Sequence, residues 1–243
     1  DGYFTSQFYT VAIEQGVAGS PYILGGMQDN GCYLCTNSDP AVPWASVHGS
    51  DGAYCAIPDG RAFMLMSGQQ GKLYKKTVAD DGTVTGFERI DPDITNPSYN
   101  FINQFVLDPA TQNRLYWCHS NRLWRNNDLA SLPITNNYYT SSSTNWEQLT
   151  TTNQATRITA LDIGASDPNT LIFGTTSGRV HRVDDLNGTP VRTQLTSPEF
   201  PPVGTYVGCI APNDNDPNEW VVAFTNYGVR SVFHTTDRGA TWE

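Results

Sequence analysis

The sequence predicts an all-β fold, a β-propeller of four-stranded antiparallel blades, and three observations indicate it. Short apolar runs of about three to five residues recur along the chain, and Gly, Pro, Asn and Asp bound them, as is typical of strands buried on both faces. These runs repeat as units of roughly 40–55 residues. The composition supplies 21 Gly and 15 Pro for turns. A solenoid would need shorter repeats and a jelly roll would show none, so about five blades are expected.

The predicted blades follow one another along the whole chain as a single domain, residues 1–243. Their approximate limits are 1–48, 49–98, 99–150, 151–200 and 201–243. The fourth unit shows the pattern in order, with an apolar run at 158–163, a turn at 167–169, a run at 171–174, a turn at 177–178 and a run at 179–182. The first two units match it more loosely and the fifth is incomplete. We therefore expect the segment to be part of a larger propeller, with the remainder of a longer chain as its partner.

Charge narrows the range of partners. The 243 residues carry a net charge of −10 with a pI near 4.7, and the 14 basic residues are dispersed. Nucleic acids and anionic membranes need clustered Lys and Arg, so neither is expected as the main partner. No apolar run reaches transmembrane length, so direct membrane insertion is not expected either. The acidic, Thr- and Asn-rich composition favours an extracellular protein.

Five cysteines are present, and two of them form a C-x-x-C pair, Cys32 and Cys35. A zinc site would need a second ligand pair, and a redox motif would need a following helix; the sequence shows neither. Two interpretations remain open, a disulfide within the first blade, such as Cys35 with Cys55, or buried free thiols. Cys118 and Cys209 lie in strand-like runs and are expected in the core.

No cofactor or metal is expected, and one loop is the exception to consider. Residues 213–218 carry carboxylates at alternating positions that could hold Ca²⁺. The loop lacks the mid-loop Gly and the terminal Glu of an EF-hand. A plain turn between strands is therefore favoured, and residues 166–169 of the fourth unit read similarly.

The C-terminal residues 235–242 fit the pattern S/T-x-D-x-G-x-T-W through Thr235, Asp237, Gly239, Thr241 and Trp242. Asp237 can accept backbone N–H groups of its own turn, Gly239 can take a positive φ, and Trp242 can pack between sheets. The segment resembles the Asp-box, or BNR repeat, of β-propellers. That resemblance implies a structural hairpin and no catalytic role.

A second resemblance covers residues 25–31, which are similar to the G-G-x-Q-D-N-G motif of bacterial secreted Asp-box propellers related to sortilin-type propellers. Residues 6–9 resemble the Q-F-Y segment of the same proteins, and a Gly-rich turn follows at 48–54. The resemblance implies a bacterial protein that is secreted or exposed at the cell surface, often through type IX secretion. Only one full Asp-box is present. Residues 29–31 keep its D-x-G core, and residues 185–189 are degenerate.

Two kinds of glycoside hydrolase also use Asp-box propellers. Sialidases need three arginines that clamp a carboxylate, and no segment here matches them; most arginines lie at strand ends, where a solvated rim position is expected. Xyloglucanase-type enzymes use a carboxylate pair across a groove. Asp29 and Asp51 lie in Gly-rich turns and are the candidate pair, although Asp also commonly caps turns.

Aromatic side chains are the candidate binding residues. Trp44, Tyr138, Tyr139 and Trp146 lie in or beside polar loops and suit stacking on sugar rings, although Trp44 and Trp146 are also expected as packing residues like Trp242. The sequence favours a non-catalytic recognition or adhesion module for glycans or extracellular proteins. The alternative is a polysaccharide-degrading glycoside hydrolase that uses Asp29 or Asp51.

Overall fold

The computed structural model describes residues 6–95 and 98–243, which form five antiparallel sheets. Sheet I holds β1 (Phe8–Ile13), β2 (Ile23–Met27), β3 (Gly31–Cys35) and β4 (Ala45–His48). Sheet II holds β5 (Gly52–Ala56), β6 (Met64–Gly68), β7 (Leu73–Val78) and β8 (Val84–Arg89). Sheet III holds β9 (Phe105–Leu107), β10 (Leu115–His119), β11 (Arg122–Asn126) and β12 (Trp146–Gln148). Sheet IV holds β13 (Ile158–Asp162), β14 (Leu171–Thr175), β15 (Val180–Asp184) and β16 (Val191–Leu195).

Sheet V has three strands, β17 (Val207–Asn213), β18 (Asp216–Phe224) and β19 (Val232–Thr235). Beside β19, Glu243 pairs with His234 through both backbone N–H groups at 2.9 Å. The helical turns in the described residues are the short 3-10 helices Asp59–Arg61 and Thr150–Thr152. None of the described helices is both long and apolar enough to pass through a bilayer.

Strands follow chain order in every sheet, as expected for consecutive hairpins. Each sheet lies inside one of the five predicted blade segments. The chain divides into two compact units, residues 1–103 with 128–146, and residues 104–127 with 147–243. Sheets I and II belong to unit 1. Sheets IV and V belong to unit 2, as does sheet III apart from Trp146, the first residue of β12.

In unit 1 the facing sheets I and II bury a common core. It includes Leu24, Leu34, Met64 and Met66, all at most 1 % exposed. Backbone passes very close to backbone at Gly26, where an added Cβ would lie 2.2 Å from the carbonyl oxygen of Ala53. Only glycine fits there, which explains one glycine of the segment 25–31.

In unit 2 two cores alternate with the sheets. One lies between sheets III and IV and includes Tyr116, Cys118 and Phe173. The other lies between sheets IV and V. It consists of Ala160, Ile172, Val180, Leu195, Val207, Ile210, Trp220, Val222, Phe224, Phe233 and Trp242. A strand between two such cores is apolar on both faces, which accounts for the continuous apolar runs in the sequence.

Candidate functional site

The turn at 235–242 is closed by its own polar side chains. The Asp237 carboxylate accepts the Thr241 backbone N–H at 2.8 Å and the hydroxyls of Thr235 and Thr241 at 2.7 and 2.6 Å. Gly239 has a φ of 83° and donates its N–H to the Thr235 hydroxyl at 3.0 Å. Trp242 is buried and donates its indole N–H to the Gly239 carbonyl at 3.1 Å. Every residue of the motif therefore takes part in holding the turn.

These hydrogen bonds make the turn sensitive to acid. Donors from Thr241 and Thr235 lower the pKa of Asp237 to about 2 from its ordinary value of 3.8. Because the folded-state pKa is the lower one, the carboxylate stabilises the fold fully above pH 3.8 and loses this effect as the pH falls through about 2. We expect Asp237→Asn to lower the melting temperature at pH 7 and to differ much less from the wild type at pH 2. A pH-independent difference would contradict this.

In three of the sheets, a cationic side chain donates to backbone carbonyls in the turn of the following repeat. Lys75 Nζ donates to the Leu129 and Leu132 carbonyls at 2.7 Å and to the Ala130 carbonyl at 3.2 Å. Lys75 lies on β7, the third strand of sheet II, and its first acceptor, Leu129, directly follows Asp128 in the chain.

Arg125 and Arg182 repeat this arrangement in unit 2. Arg125 donates to the Leu186 carbonyl, and Arg182 donates to the Arg238 carbonyl at 3.1 Å. The side chain of Arg125 is only 11 % exposed, so the expectation that it solvates the rim is wrong. The sequence alone does not show that Arg125 faces the next turn. In the fold, its guanidinium supplies the hydrogen-bond donor that a buried backbone carbonyl such as that of Leu186 requires.

Arg238 fastens the turn at 235–242 to sheet IV. Its guanidinium donates to Asp167 at 2.8 Å and to Thr170 at 3.0 Å, and it lies 3.4 Å from Asp184. Burial alone would raise the pKa of Asp167, but hydrogen bonds from Thr170 and Arg238 lower it overall. The hairpin is therefore joined to its neighbour by charge-assisted hydrogen bonds, which are stronger than neutral ones.

Trp44 occupies in sheet I the position that Trp242 occupies in sheet V. Trp44 precedes Ala45, which pairs with Leu34, just as Trp242 precedes Glu243, which pairs with His234. The turn aspartate has a counterpart as well, because Asp39 accepts the Ala41 N–H at 2.9 Å. Trp44 is half-buried against Phe8, with ring centroids 5.4 Å apart.

A pocket of about 340 Å³ lies beside Trp44 on the face of sheet I away from sheet II. Its lining residues are Ser6, Phe8, Met27, Asn30, Tyr33 and Trp44. Because Tyr33 pairs with Gly25, and Phe8 and Val11 cover Gly25, this face is aromatic and aliphatic. The structure thus leaves Trp44 in a pocket with both aromatic and polar lining residues, and its role in binding stays a prediction.

The other three predicted aromatic residues have different surroundings. Tyr138 stacks on Tyr74 with ring centroids 4.8 Å apart. The indole N–H of Trp146 donates to the Ile90 carbonyl at 2.7 Å. Tyr139 is 84 % exposed and presents its ring to solvent. Of the four candidates, Tyr139 is therefore the one whose ring is most available to a ligand.

Asp29 lies in the turn between β2 and β3 of sheet I, and Asp51 lies just before β5 of sheet II. The Asp51 carboxylate accepts the Asp29 backbone N–H at 2.7 Å, so Asp51 caps the neighbouring turn. Asp29 lies between β2 and β3, whereas Asp237 follows the third strand of its sheet. Residues 29–31 are therefore in a different hairpin from an Asp-box turn. The counterpart in sheet I is Asp39, and the interpretation of 29–31 as a partial Asp-box is wrong.

Residues 213–218 span the end of β17 and the start of β18, and three of their side chains accept backbone N–H groups. Asn213 accepts the Asn215 N–H at 2.8 Å, and Asp216 accepts the Asn218 N–H at 2.9 Å. Asp214 accepts the Ala165 N–H at 2.8 Å. Within residues 6–95 and 98–243, no cluster of three or more His, Cys, Asp and Glu side chains is placed to hold a metal ion.

The cysteines differ in environment. Cys118 is fully buried, as predicted, and burial raises the pKa of its thiol to about 12. Cys209 is exposed, so its predicted core position is wrong. It lies on the face of sheet V that points away from sheet IV, together with Val221 and Val232, which are 36 and 57 % exposed. Strand β17 packs against sheet IV through one face only. The run of apolar residues in the sequence does not show which of its residues lie on the exposed face.

The side chains on the outer face of sheet V resemble those on the face of sheet IV that packs against sheet V. By strand register, Val221 and Val232 correspond to Ile172 and Val180 of sheet IV. Ile172 and Val180 are buried in the core that sheet IV shares with sheet V. The outer face of sheet V therefore has the side chains of a packing face without a neighbouring sheet in unit 2.

An exposed patch lies at one end of sheet V, and we name Val203, Tyr206 and Tyr227 the edge patch. Val203 is 78 % exposed, Tyr206 39 %, and Tyr227, in the turn between β18 and β19, is fully exposed. The Tyr206 carbonyl accepts the Thr225 N–H at 3.0 Å, which holds the two segments together. Sequence analysis missed these residues because nothing in their local pattern distinguishes an exposed tyrosine from a buried one.

Comparison with known proteins identifies the fold. The chain is similar to the β-propeller domain of Cps50 (Swd1) from Myceliophteria thermophila, with a TM-score of 0.59 and 11 % identity over 96 % of this chain and 66 % of that one. It is also similar to a chain of a mitotic checkpoint complex, with a TM-score of 0.58 and 10 % identity over 88 % of this chain and 58 % of that one. Together with the five sheets, these similarities confirm the predicted β-propeller of about five blades.

At this identity the similarity concerns the fold alone. The chain spans less than two thirds of the length of either similar structure. No protein-family model matches the chain, and no curated protein matches it.

Proposed function

We propose that this chain is part of a β-propeller that recognises another protein and performs no catalysis of its own. The observation that carries the proposal is the edge patch, where Tyr227 is fully exposed on a turn that is hydrogen-bonded to the segment carrying the exposed Tyr206 and Val203. Tyrosine is enriched among residues that dominate protein interfaces, because its ring adds apolar contact and its hydroxyl adds a hydrogen bond. The fold of the similar structures is one that occurs in a protein assembly, which supports this reading.

The finer part of the proposal comes from the sequence. The motif at 235–242 and the segment at 25–31 resemble secreted bacterial Asp-box propellers of the sortilin-related type, so we propose a secreted or cell-surface location and an extracellular protein or glycan as ligand. The self-contained hydrogen bonding of Asp237 supports the Asp-box interpretation of that turn. We also propose that the outer face of sheet V packs on a further antiparallel sheet of a longer chain, because its side chains correspond to those of the packed face of sheet IV.

The edge patch predicts a specific loss of binding. Ligands are first selected by exposing the wild-type protein to arrays of extracellular proteins and glycans, and their affinities are then measured for variants. We expect Tyr227→Ala to weaken binding at least tenfold, or by roughly 1.4 kcal/mol, as for a central interface tyrosine. Because the side chain is fully exposed, the melting temperature should stay unchanged.

Tyr139→Ala is the matched control, since it removes another highly exposed tyrosine. Loss of binding in that variant alone would move the site to the loop at 128–146. The hydrolase alternative is tested in parallel with β-glucans, xyloglucan and sialosides. Hydrolysis by the wild type that disappears in Asp29→Asn or Asp51→Asn would replace the recognition proposal.

A further inference from the structure

Two cysteines from adjacent sheets of unit 1 lie in contact. Cys32 on β3 is fully buried, and Cys55 on β5 is partly exposed. Their Sγ atoms are 3.8 Å apart. Cys35 does not share this contact, because three residues along a strand place it on the opposite face from Cys32. Its thiol instead donates to the Asn37 carbonyl at 3.1 Å.

The surroundings of the pair are both closed and polar. The Cys55 thiol also approaches the Ala53 carbonyl at 3.5 Å, and the Cys32 thiol lies 4.0 Å from the Ser67 carbonyl. Lys76 is buried nearby and donates to the Val47 carbonyl at 2.7 Å. Burial lowers the pKa of Lys76 to about 8, an effect that the neighbouring Cys32 partly offsets. The hydrogen bond to Cys32, together with burial, raises the pKa of the Cys55 thiol well above its ordinary value, so the pair is held as thiols until an oxidant reaches it.

We propose that Cys32 and Cys55 form a disulfide bond that joins sheets I and II. The two sulfurs need to approach by roughly 2 Å to reach bonding distance, which a side-chain rotation of one cysteine can supply. The bond would close a loop between residues 23 positions apart and link two sheets that already pack face to face.

The oxidant is a small disulfide such as oxidised glutathione. The Cys55 thiol, on the less buried of the two residues, first gives up its proton to water. Its sulfur then attacks one glutathione sulfur, the glutathione S–S bond breaks, and one glutathione thiolate leaves. The Cys32 thiolate then attacks the Cys55 sulfur of this mixed disulfide and releases the second glutathione thiolate. The two cysteine protons pass to water or to the released thiolates, so the protein loses two electrons that reduce one glutathione disulfide to two thiols.

Peptide mapping tests the bond directly. Trypsin is unsuitable, because the first basic residue is Arg61 and one peptide would hold Cys32, Cys35 and Cys55. Cleavage before aspartate gives separate peptides, 29–38 with Cys32 and Cys35, and 51–58 with Cys55. After equilibration with oxidised glutathione and blocking of free thiols, we expect the two peptides to be linked. The link should persist in Cys35→Ser and disappear in Cys32→Ser and Cys55→Ser.

Stability gives an independent measurement on the same samples. Closing a loop of this length should raise the melting temperature of the oxidised protein by roughly 5–10 °C over the reduced protein. Cys209→Ser, which changes an exposed cysteine, should retain both the link and this difference. Unlinked peptides, a bond within 29–38, or a stable glutathione adduct on Cys55 would each overturn the proposal. None of these outcomes depends on which ligand the protein binds.

Discussion

Gly239→Val is expected to destabilise the protein by roughly 3–5 kcal/mol, among the largest effects of any single substitution in the chain. Two costs add. Gly239 has a φ of 83°, where a β-branched residue is strongly disfavoured. A Cβ at this position would also lie 2.7 Å from a Leu195 methyl carbon and 3.2 Å from the rings of Trp220 and Trp242. Chemical denaturation followed by intrinsic tryptophan fluorescence measures the change.

Gly228 separates the two costs. It has a similar φ of 74°, but a Cβ there would meet no atom within 4 Å. Gly228→Ala should therefore cost only about 1 kcal/mol through the backbone alone, and Gly239→Ala should cost clearly more. Equal losses for the two alanine variants would show that crowding by Leu195, Trp220 and Trp242 contributes little.

Lys75→Met is the second large expected effect, a loss of roughly 3–5 kcal/mol. The methionine keeps much of the side-chain volume but removes the ammonium group that three carbonyls share, those of Leu129, Ala130 and Leu132. Lys75 is only 4 % exposed, so water cannot easily replace it. The loss should appear locally as faster hydrogen exchange across residues 128–146, as well as in the free energy of unfolding.

Lys72→Met provides the control for this substitution. Lys72 lies just before β7 and is partly exposed, so losing its charge should change stability by less than about 0.5 kcal/mol. Lys75→Arg should retain part of the stability, because a guanidinium can still donate to the carbonyls. A Lys75→Met variant as stable as Lys72→Met would refute the role of the cation in holding the turn.

The sequence predicted the features that depend on local pattern. Runs of apolar residues between turn residues revealed the sheets, and the motif at 235–242 revealed a turn whose hydrogen bonds stay within eight residues. The corresponding turn in sheet I was missed, because Ala41 and Pro43 stand where the motif has Gly and Thr between Asp39 and Trp44. Strand register was needed to place Trp44 and Trp242 at equivalent positions.

Features that depend on distant parts of the chain could not be predicted. Lys75, Arg125 and Arg182 occupy the same place in successive repeats, but their carbonyl acceptors lie more than 50 residues away. Cys55 contacts Cys32 rather than Cys35, because alternate residues of β3 face sheet II and Cys35 lies on the opposite face. Tyr206 and Tyr227 are exposed because no other segment covers their end of sheet V in unit 2. The residues around them in the sequence do not indicate this.

The central claim is that recognition and folding use different parts of the chain, the edge patch for binding and the turn at 235–242 for stability. The most direct measurement compares Tyr227→Ala with Asp237→Ala, using affinity for the ligand selected on the arrays and melting temperature at pH 7. Tyr227→Ala should lose affinity at an unchanged melting temperature, and Asp237→Ala should melt earlier while binding normally well below that temperature. The reverse result, weaker binding by Asp237→Ala with unaltered melting and normal binding by Tyr227→Ala, would contradict the account.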